Sequence, residues 1–417
     1  MPFSVTPHRL YGTVNLVPSD AEVCRFLAAA AFASRECAIR CSGFGPNSEQ
    51  MILLLRKLGA QITAAEGEIR VVPLWNRLPD QPDLDFGASE LCLKLLLPAV
   101  CRLRSGIRFS GVEDRKHGAQ CLTEVLERHG CVFDTDRFPF YADGFPDEGI
   151  YEFPRLPDPD SLFGLALMLC LCPDRGQIVC EEPFGTAHRS VMRILNLFGA
   201  QAEETLKGFF FPAGQLTPSS DVLSPRGDPA TAGLLLSAGA LSGPVTVCGA
   251  DPSDPDLSVM LSVAESGGCK IVTEGSCVSV YRDGETAFLP EYFDVSPGSL
   301  PGLAVLFAGC GASVDLYAKE PHDAAFSASV RGLDQTFAPL GVHFSESEGK
   351  CTVSGALSVA GTVHSPFYES LAAALLVACH APGSVIFDDL ASLDRYDSRF
   401  VGYFRTLGGV LEEVTPT

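Results

Sequence analysis

One pattern recurs six times along the chain, and it constrains the fold more than anything else in the sequence. Its clearest copy runs from Asp228 to Ala250. Asp228, Pro229, Ala230 and Thr231 lead into the apolar run Ala232–Ala240, Gly243 and Pro244 break it, and Val245–Cys248 alternate into Gly249. Asp followed by Pro suits a helix start, because the carboxylate can accept from free backbone N–H groups and Pro has none to lose. The helix is apolar nearly all round, so it belongs inside a core, and the run after it reads as a buried strand. Related stretches start near Asp20, Ser89, Ser161, Ala230, Leu300 and Glu369, about 70 residues apart, which is longer than the common solenoid periods. Their apolar cores are Phe26–Ala33, Leu91–Val100, Leu162–Cys172, Leu303–Gly309 and Leu371–Cys379.

A second repeated unit lies between these stretches: an amphipathic helix stopped by Gly, then a two-stranded ribbon. The helices are Met51–Leu58, Leu122–His129, Val191–Phe198, Met260–Ser266, Leu333–Leu340 and Phe400–Leu407. The stopping glycines are Gly59, Gly130, Gly199, Gly267, Gly341 and Gly408, each expected in the left-handed position that ends a helix. Ribbons are expected at Ala60–Val72, turning at Glu66–Gly67, and at Ala200–Pro212, turning at Lys207–Gly208. Buried helices followed by strands specify an α/β fold. A chain of 417 residues exceeds one ordinary core, so three repeats in each of two domains is the expected division.

Composition excludes several classes. The chain is 46% hydrophobic and 19% charged, which argues against disorder. A net charge of -21 argues against broad nucleic-acid binding, which needs a basic face. Each apolar run is interrupted by Pro, Gly or charge, so no membrane span is expected. The first residues lack a basic stretch followed by an apolar one, so no signal peptide is read there. Most of the 16 Cys sit in apolar runs and none has CxxC spacing, so reduced, buried thiols and a cytoplasmic location are expected. The eight His are scattered, with no HxxxH or paired Cys–His spacing, so neither a metal nor another cofactor is expected.

The helix starts carry a resemblance. Pro18–Ala33 begins Pro18-Ser19-Asp20-Ala21, with Cys24 and Arg25 following. It resembles the first helix of the enolpyruvyl transferase family, its 5-enolpyruvylshikimate-3-phosphate synthases in particular. That helix opens Pro-Ser-Lys-Ser, followed by His or Asn and then Arg. The Lys and Ser contact phosphoenolpyruvate and the shikimate compound, and the Arg holds the shikimate carboxylate. Arg25 is kept, whereas Asp20 and Ala21 stand for the Lys and Ser. At about 4 Å and an effective dielectric near 20, reversing one charge beside a phosphate changes the interaction by several kcal/mol. Phe86–Pro98 is similar to the family's Gly-Glu-Ser-Gly-Ser-Thr-Leu-Arg segment, with Glu90 in place of a Gly and Lys94 in place of the Arg that holds phosphoenolpyruvate. Lys116 falls near another family Arg. Asp160–Cys172 resembles the Ser-Ser-Gln-Phe segment that binds the shikimate phosphate and ring, with Ser161 kept and Leu162 replacing the Gln. Gly227 and Asp228 match the Gly-Asp at the return crossing between domains.

The last two repeats depart further. The family's Asp after a Pro, an acid–base candidate, is replaced after Pro297 by Gly298, and Asp294 matches an earlier Asp and is a catalytic candidate. Counting back from Leu340–Gly341 places Ala325–Ser329 at the family's Lys-Glu-Ser-Asp-Arg, so the cations and the second acid–base carboxylate are missing there. Phe367, Tyr368 and Glu369 replace Asp-His-Arg, and Arg395 matches the final Lys.

The resemblance implies an inside-out α/β barrel in each of two domains, residues 1–16 with 226–417 and residues 17–225, with a ligand cleft between them. It implies a monomer that binds phosphoenolpyruvate and shikimate 3-phosphate through Arg25, Lys94, Lys116, Ser161 and Arg395 and needs no cofactor. Three functions follow as expectations. The first is a family member inactive or strongly impaired on the standard substrates. The second is an enolpyruvyl transferase with displaced catalytic groups drawn from Asp294, Glu320 and Asp323. The third is a binding protein for a less anionic ligand.

Overall fold

The computed structural model describes residues 2–41, 43, 45–65, 67–74, 83–111, 119–147, 149–182, 184, 186–282, 284, 287–319, 324–393 and 399–414. The chain forms two compact units. The middle unit is Val17–Pro225, and the composite unit joins Met1–Leu16 to Arg226–Thr417.

The composite unit begins with β1 (Phe3–Thr6) and β2 (Gly12–Asn15). The middle unit then runs α1 (Asp20–Ala31), β3 (Cys37–Arg40), α2 (Pro46–Leu58), β4 (Gln61–Ala65) and β5 (Glu68–Val72). Its second repeat is β6 (Asp83–Asp85), α3 (Glu90–Leu103), β7 (Ile107–Ser110), α4 (Gln120–Arg128), β8 (Cys131–Phe133) and β9 (Phe140–Gly144). Its third is β10 (Ile150–Phe153), α5 (Pro159–Leu169), β11 (Gly176–Cys180), α6 (Thr186–Leu197), β12 (Glu203–Thr205) and β13 (Gly208–Phe211), followed by β14 (Val222–Leu223). Back in the composite unit come α7 (Pro229–Leu241), β15 (Val245–Cys248), α8 (Pro255–Ser266), β16 (Cys269–Glu274) and β17 (Cys277–Arg282). The fifth repeat is β18 (Glu291–Val295), α9 (Leu300–Cys310), β19 (Val314–Ala318), α10 (Ala324–Phe337), β20 (Val342–Ser347) and β21 (Lys350–Gly355). The last is α11 (Tyr368–Ala378), β22 (Val385–Phe387), α12 (Phe400–Thr406) and β23 (Val410–Glu413).

Six small mixed sheets match the six repeats of an α/β fold. In the middle unit their orders are β14-β3-β5-β4, β6-β7-β9-β8 and β10-β11-β13-β12. The strand before a buried helix pairs in parallel with the strand after it, as β6 does with β7 and β10 with β11. Parallel neighbours need a long crossover, and α3 and α5 supply it. The first repeat takes its parallel edge from the far end of the unit, where Val222 of β14 faces Ala38. The composite unit has the orders β16-β17-β15-β2, β18-β19-β21-β20 and β22-β1-β23. The N-terminal strands complete two of these sheets: β2 lies parallel to β15, and β1 sits between β22 and β23.

The apolar helices form the core, as their all-round hydrophobicity requires. Ala28–Ala31 of α1 and Leu234–Leu236 of α7 are fully buried. In the middle unit α3 and α5 approach so closely that a Cβ on Gly164 would lie 2.1 Å from the Lys94 carbonyl oxygen. The second helix of each repeat is one-sided: in α2, Met51, Leu54, Leu55 and Leu58 are buried while Leu53 is exposed.

Three local expectations need correction. The left-handed stop after α8 falls on Gly268 (φ 91°), whereas Gly267 has φ -77°. Gly267 serves another purpose, since a Cβ there would come within 2.3 Å of the Phe288 ring. The ribbon of the third repeat turns at Leu206–Lys207, because Gly208 is already in β13, where a Cβ would collide with the Ile178 carbonyl. The cysteines are not all reduced: fourteen are free, but Cys248 and Cys277 form a disulfide. They stand opposite each other in the β15–β17 register, a proximity that their separation of 29 residues does not announce. Among the described residues, no helix is long and apolar enough to cross a membrane.

Candidate functional site

In the middle unit, the residues singled out from the sequence gather at the N-terminal ends of α1, α3 and α5. Ser19 caps α1, its hydroxyl accepting from Glu22 N at 3.2 Å. Asp20, the next residue, points away from its own helix. Its carboxylate accepts from the backbone N–H groups of Gly45, Asn47 and Ser48 at 3.0, 2.9 and 3.0 Å, and the Ser48 hydroxyl also donates to it. The N-cap of α2, Gly45, has no side chain to do this. Asp20 therefore caps a helix that begins well along the chain, at Pro46. A carboxylate at a helix N-terminus satisfies orphan donors and opposes the positive end of the dipole. Ala21 beside it carries no polar group.

Arg25 projects from α1 to α5. Its Nε and Nη2 donate to Asp160 Oδ1 at 2.9 and 2.6 Å. Lys94 of α3 lies 2.7 Å from Glu90 one turn earlier and 3.4 Å from Asp158. Burial acts to lower the Lys94 pKa, but the hydrogen bonds and charges of Glu90 and Asp158 outweigh it and hold the group above its ordinary value. Both side chains are largely buried, at 16% exposure for Arg25 and 15% for Lys94. Ser161 is fully buried, and its hydroxyl donates to Asp158 Oδ2 at 2.7 Å. Asp158 in turn caps α5, accepting from Asp160 N and Ser161 N. Leu162 is buried in the core.

In the composite unit, Asp228 caps α7, accepting from Thr231 N at 2.7 Å. Gly298 adjoins Asp256, whose carboxylate accepts from the Ser296 hydroxyl at 2.6 Å. A Cβ on Gly298 would lie 2.3 Å from Asp256 Oδ2, so any larger residue at position 298 has to displace that carboxylate. Glu369 sits in the first turn of α11. Burial, then the charges of Asp228 and Asp256, push its carboxyl up from the ordinary 4.5 to about 7. It lines a cavity of about 440 Å³ with Gly298, Ala325, Ser329, Phe367 and Tyr368. The Tyr368 hydroxyl is 3.1 Å from that of Thr231. Ala325–Ser329 lies in the opening turns of α10, where Ser327 bonds Glu346 at 2.6 Å. Asp294 stands apart, exposed at an irregularity of β18 with φ 57° and next to the stacked Phe293–Tyr317 pair. Lys116, Arg395, Glu320 and Asp323 lie outside the described residues.

Sequence reasoning missed Asp158 and Asp160 as the carboxylates that occupy the cations, and it singled out Glu90 without its pairing to Lys94. A usable signal was present, because Asp-Pro opens α5, α7 and α8, with Asp158, Asp228 and Asp254 as caps. The same signal would have put Asp160 in the first turn of α5, within reach of a neighbouring helix. Asp256 had no such signal as the neighbour of Gly298. A larger cavity of about 720 Å³ lies in the middle unit against Arg128, His129, Glu152 and Lys207, and it contains none of the motif residues. Among the described residues, no group of three or more His, Cys, Asp or Glu could hold a metal ion.

No family model matches the sequence. Whole-length relatives nevertheless exist. The chain is 23% identical over 425 residues to the 3-phosphoshikimate 1-carboxyvinyltransferase of Methanocorpusculum labreanum, covering 99% of this chain and 100% of that protein. It is 26% identical over 435 residues to the protein of the same name from Halobacterium salinarum, covering 98% of each. The fold matches the EPSP synthase structure from Acinetobacter baumannii with a TM-score of 0.77 at 13% identity, over 99% of this chain and 100% of that one. It also matches the enolpyruvyl transferase NikO from Streptomyces tendae, with a TM-score of 0.68 at 17% identity over 100% and 99%. Those structural matches establish the α/β enolpyruvyl transferase fold. With the whole-length sequence similarity added, the chain is similar from end to end, at low identity, to 3-phosphoshikimate 1-carboxyvinyltransferases.

Proposed function

We propose that this chain keeps the family fold without efficient enolpyruvyl transfer from phosphoenolpyruvate to shikimate 3-phosphate. One observation carries the reading. Arg25 and Lys94 are the cations that the resemblance assigns to substrate among the described residues, and both are closed in ion pairs with the chain's own Asp160, Glu90 and Asp158. An incoming carboxylate or phosphate must displace a carboxylate that is already bonded, and it meets the displaced charge nearby. Asp20 adds a further negative charge where the resemblance calls for a Lys. The proton-moving side is equally reduced, with Gly298 and Ala325–Ser329 at the positions assigned to carboxylates. Each such group ordinarily contributes about 10²–10⁴ in rate.

The test is phosphate release with both substrates at high enzyme concentration, run beside a 3-phosphoshikimate 1-carboxyvinyltransferase. The expected rate is lower by at least about a thousandfold. Comparable turnover would overturn the reading and favour displaced catalytic groups, which alanine variants of Asp294, Glu320 and Asp323 would then locate.

A second reading rests on the Glu369 cavity. A carboxyl flanked by Phe367 and Tyr368 suits a neutral or cationic ligand better than a phosphate. A thermal-shift screen of neutral and cationic metabolites tests it, with Glu369→Gln as the control. Stabilisation by none of them, or equal stabilisation of the variant by a cationic hit, would count against it.

A further inference from the structure

We propose that the Cys248–Cys277 disulfide is a reducible clamp on the two segments by which the chain passes between its units. Those passages fall at Leu16/Val17 and Pro225/Arg226. Both are seated on the residues just at and after the end of β15. Leu16 N donates to the Cys248 carbonyl at 2.8 Å, and Asn15 faces Cys248 in the parallel β2–β15 register. Gly227 N donates to the Gly249 carbonyl at 2.9 Å, and Arg226 is ion-paired with Asp251. The two passages also touch each other, since a Cβ on Gly227 would lie 2.5 Å from the Leu16 Cβ.

What holds that end of β15 is β17. Cys248 is the last residue of a four-residue strand and lies opposite Cys277; beyond it, Gly249 N donates to the Ser276 carbonyl at 2.8 Å. The disulfide is thus the one covalent tie at the point where the ladder ends. It is also reachable. Cys248 and Cys277 are both partly exposed, whereas twelve of the fourteen free thiols are buried. Burial pushes several of those, such as Cys170, Cys351 and Cys379, up to about 12, which leaves little thiolate to exchange with the bridge.

The co-reactant is a dithiol. Its thiolate attacks one sulfur of the bridge, the S–S bond breaks, and a mixed disulfide forms. The second thiol of the reductant resolves it. Two electrons and two protons end on Cys248 and Cys277 as thiols, and the reductant leaves as its own disulfide. With the tie gone, the end of β15 frays and the amides of Leu16 and Gly227 lose protection. This does not depend on which ligand the chain takes.

Hydrogen exchange on the full chain, read by mass spectrometry before and after dithiothreitol, tests the clamp. Peptide mapping of the oxidised protein should find the one bridge. Reduction should then speed exchange by at least about tenfold at 14–17 and 226–228 and leave Leu303–Phe307 of α9 unchanged. A Cys248→Ser/Cys277→Ser double variant should exchange fast at both passages in either redox state. Sixteen free thiols in air-oxidised protein, unchanged exchange at Leu16 and Gly227, or an equal rise in α9 would each overturn the proposal. Should the double variant fail to fold, the reduced wild-type chain still decides the matter.

Discussion

Replacing Asp20 tests the site reading most directly, because the resemblance and the structure assign that position opposite meanings. If Asp20 were simply a lost substrate-binding position, its removal would leave stability untouched and a Lys there would help bind phosphate. In the structure its carboxylate holds three backbone N–H groups and a hydroxyl at the start of α2. Asp20→Ala leaves those donors without their acceptor in a part-buried place. Losing an N-cap costs about 0.5–2 kcal/mol, and a hydrogen bond to a charged group contributes about 1.5–3 kcal/mol. Water recovers part of this, so a net loss of about 2–3 kcal/mol is expected. For a unit of this size that lowers the melting temperature by roughly 5–10 °C. Asp20→Asn keeps one acceptor oxygen and should fall between. Asp20→Lys places an ammonium against the positive end of α2 and should be the least stable of the three, with no gain in phosphate release. Calorimetry and urea unfolding give the stabilities. Variants within about 0.5 kcal/mol of wild type would refute the capping argument, the usual range for surface substitutions away from such features.

Glu369 yields a pH prediction. Its folded-state carboxyl sits at about 7 against an ordinary 4.5, so between those values the unfolded chain releases its proton first and stability falls as pH rises. Glu369→Gln should match wild type near pH 4 and exceed it by about 3 kcal/mol at pH 8; parallel stability curves would contradict this. Gly164→Val must push α5 away from the Lys94 carbonyl, and urea unfolding should show a loss of about 3 kcal/mol or more. Asp158→Ala removes the cap of α5 and the acceptor of Ser161, so a loss of about 1–2 kcal/mol is expected by calorimetry, and an unchanged melting temperature would argue against it.

The features that could be read from the chain are those carried by neighbouring residues. An apolar run such as Ala232–Ala240 can satisfy its backbone as a helix and its side chains only by burial, so α7 and its five counterparts were legible together with their repeat. The amphipathic helices and Gly59 or Gly341 at their ends were legible for the same reason. Where two candidates were adjacent, as at Gly267–Gly268, local propensity could not choose between them. The site was less legible. Arg25 and Lys94 could be matched to family cations one position at a time, but nothing local says what neutralises them. Asp160 reaches Arg25 across 135 residues of chain, and Asp20 reaches the start of α2 only because α1 packs against it. Cys248 and Cys277 meet because β15 and β17 pair in one register. Contacts of this kind depend on which helix lies beside which and on how strands align, and that is settled by packing the whole core rather than by any stretch of residues within it.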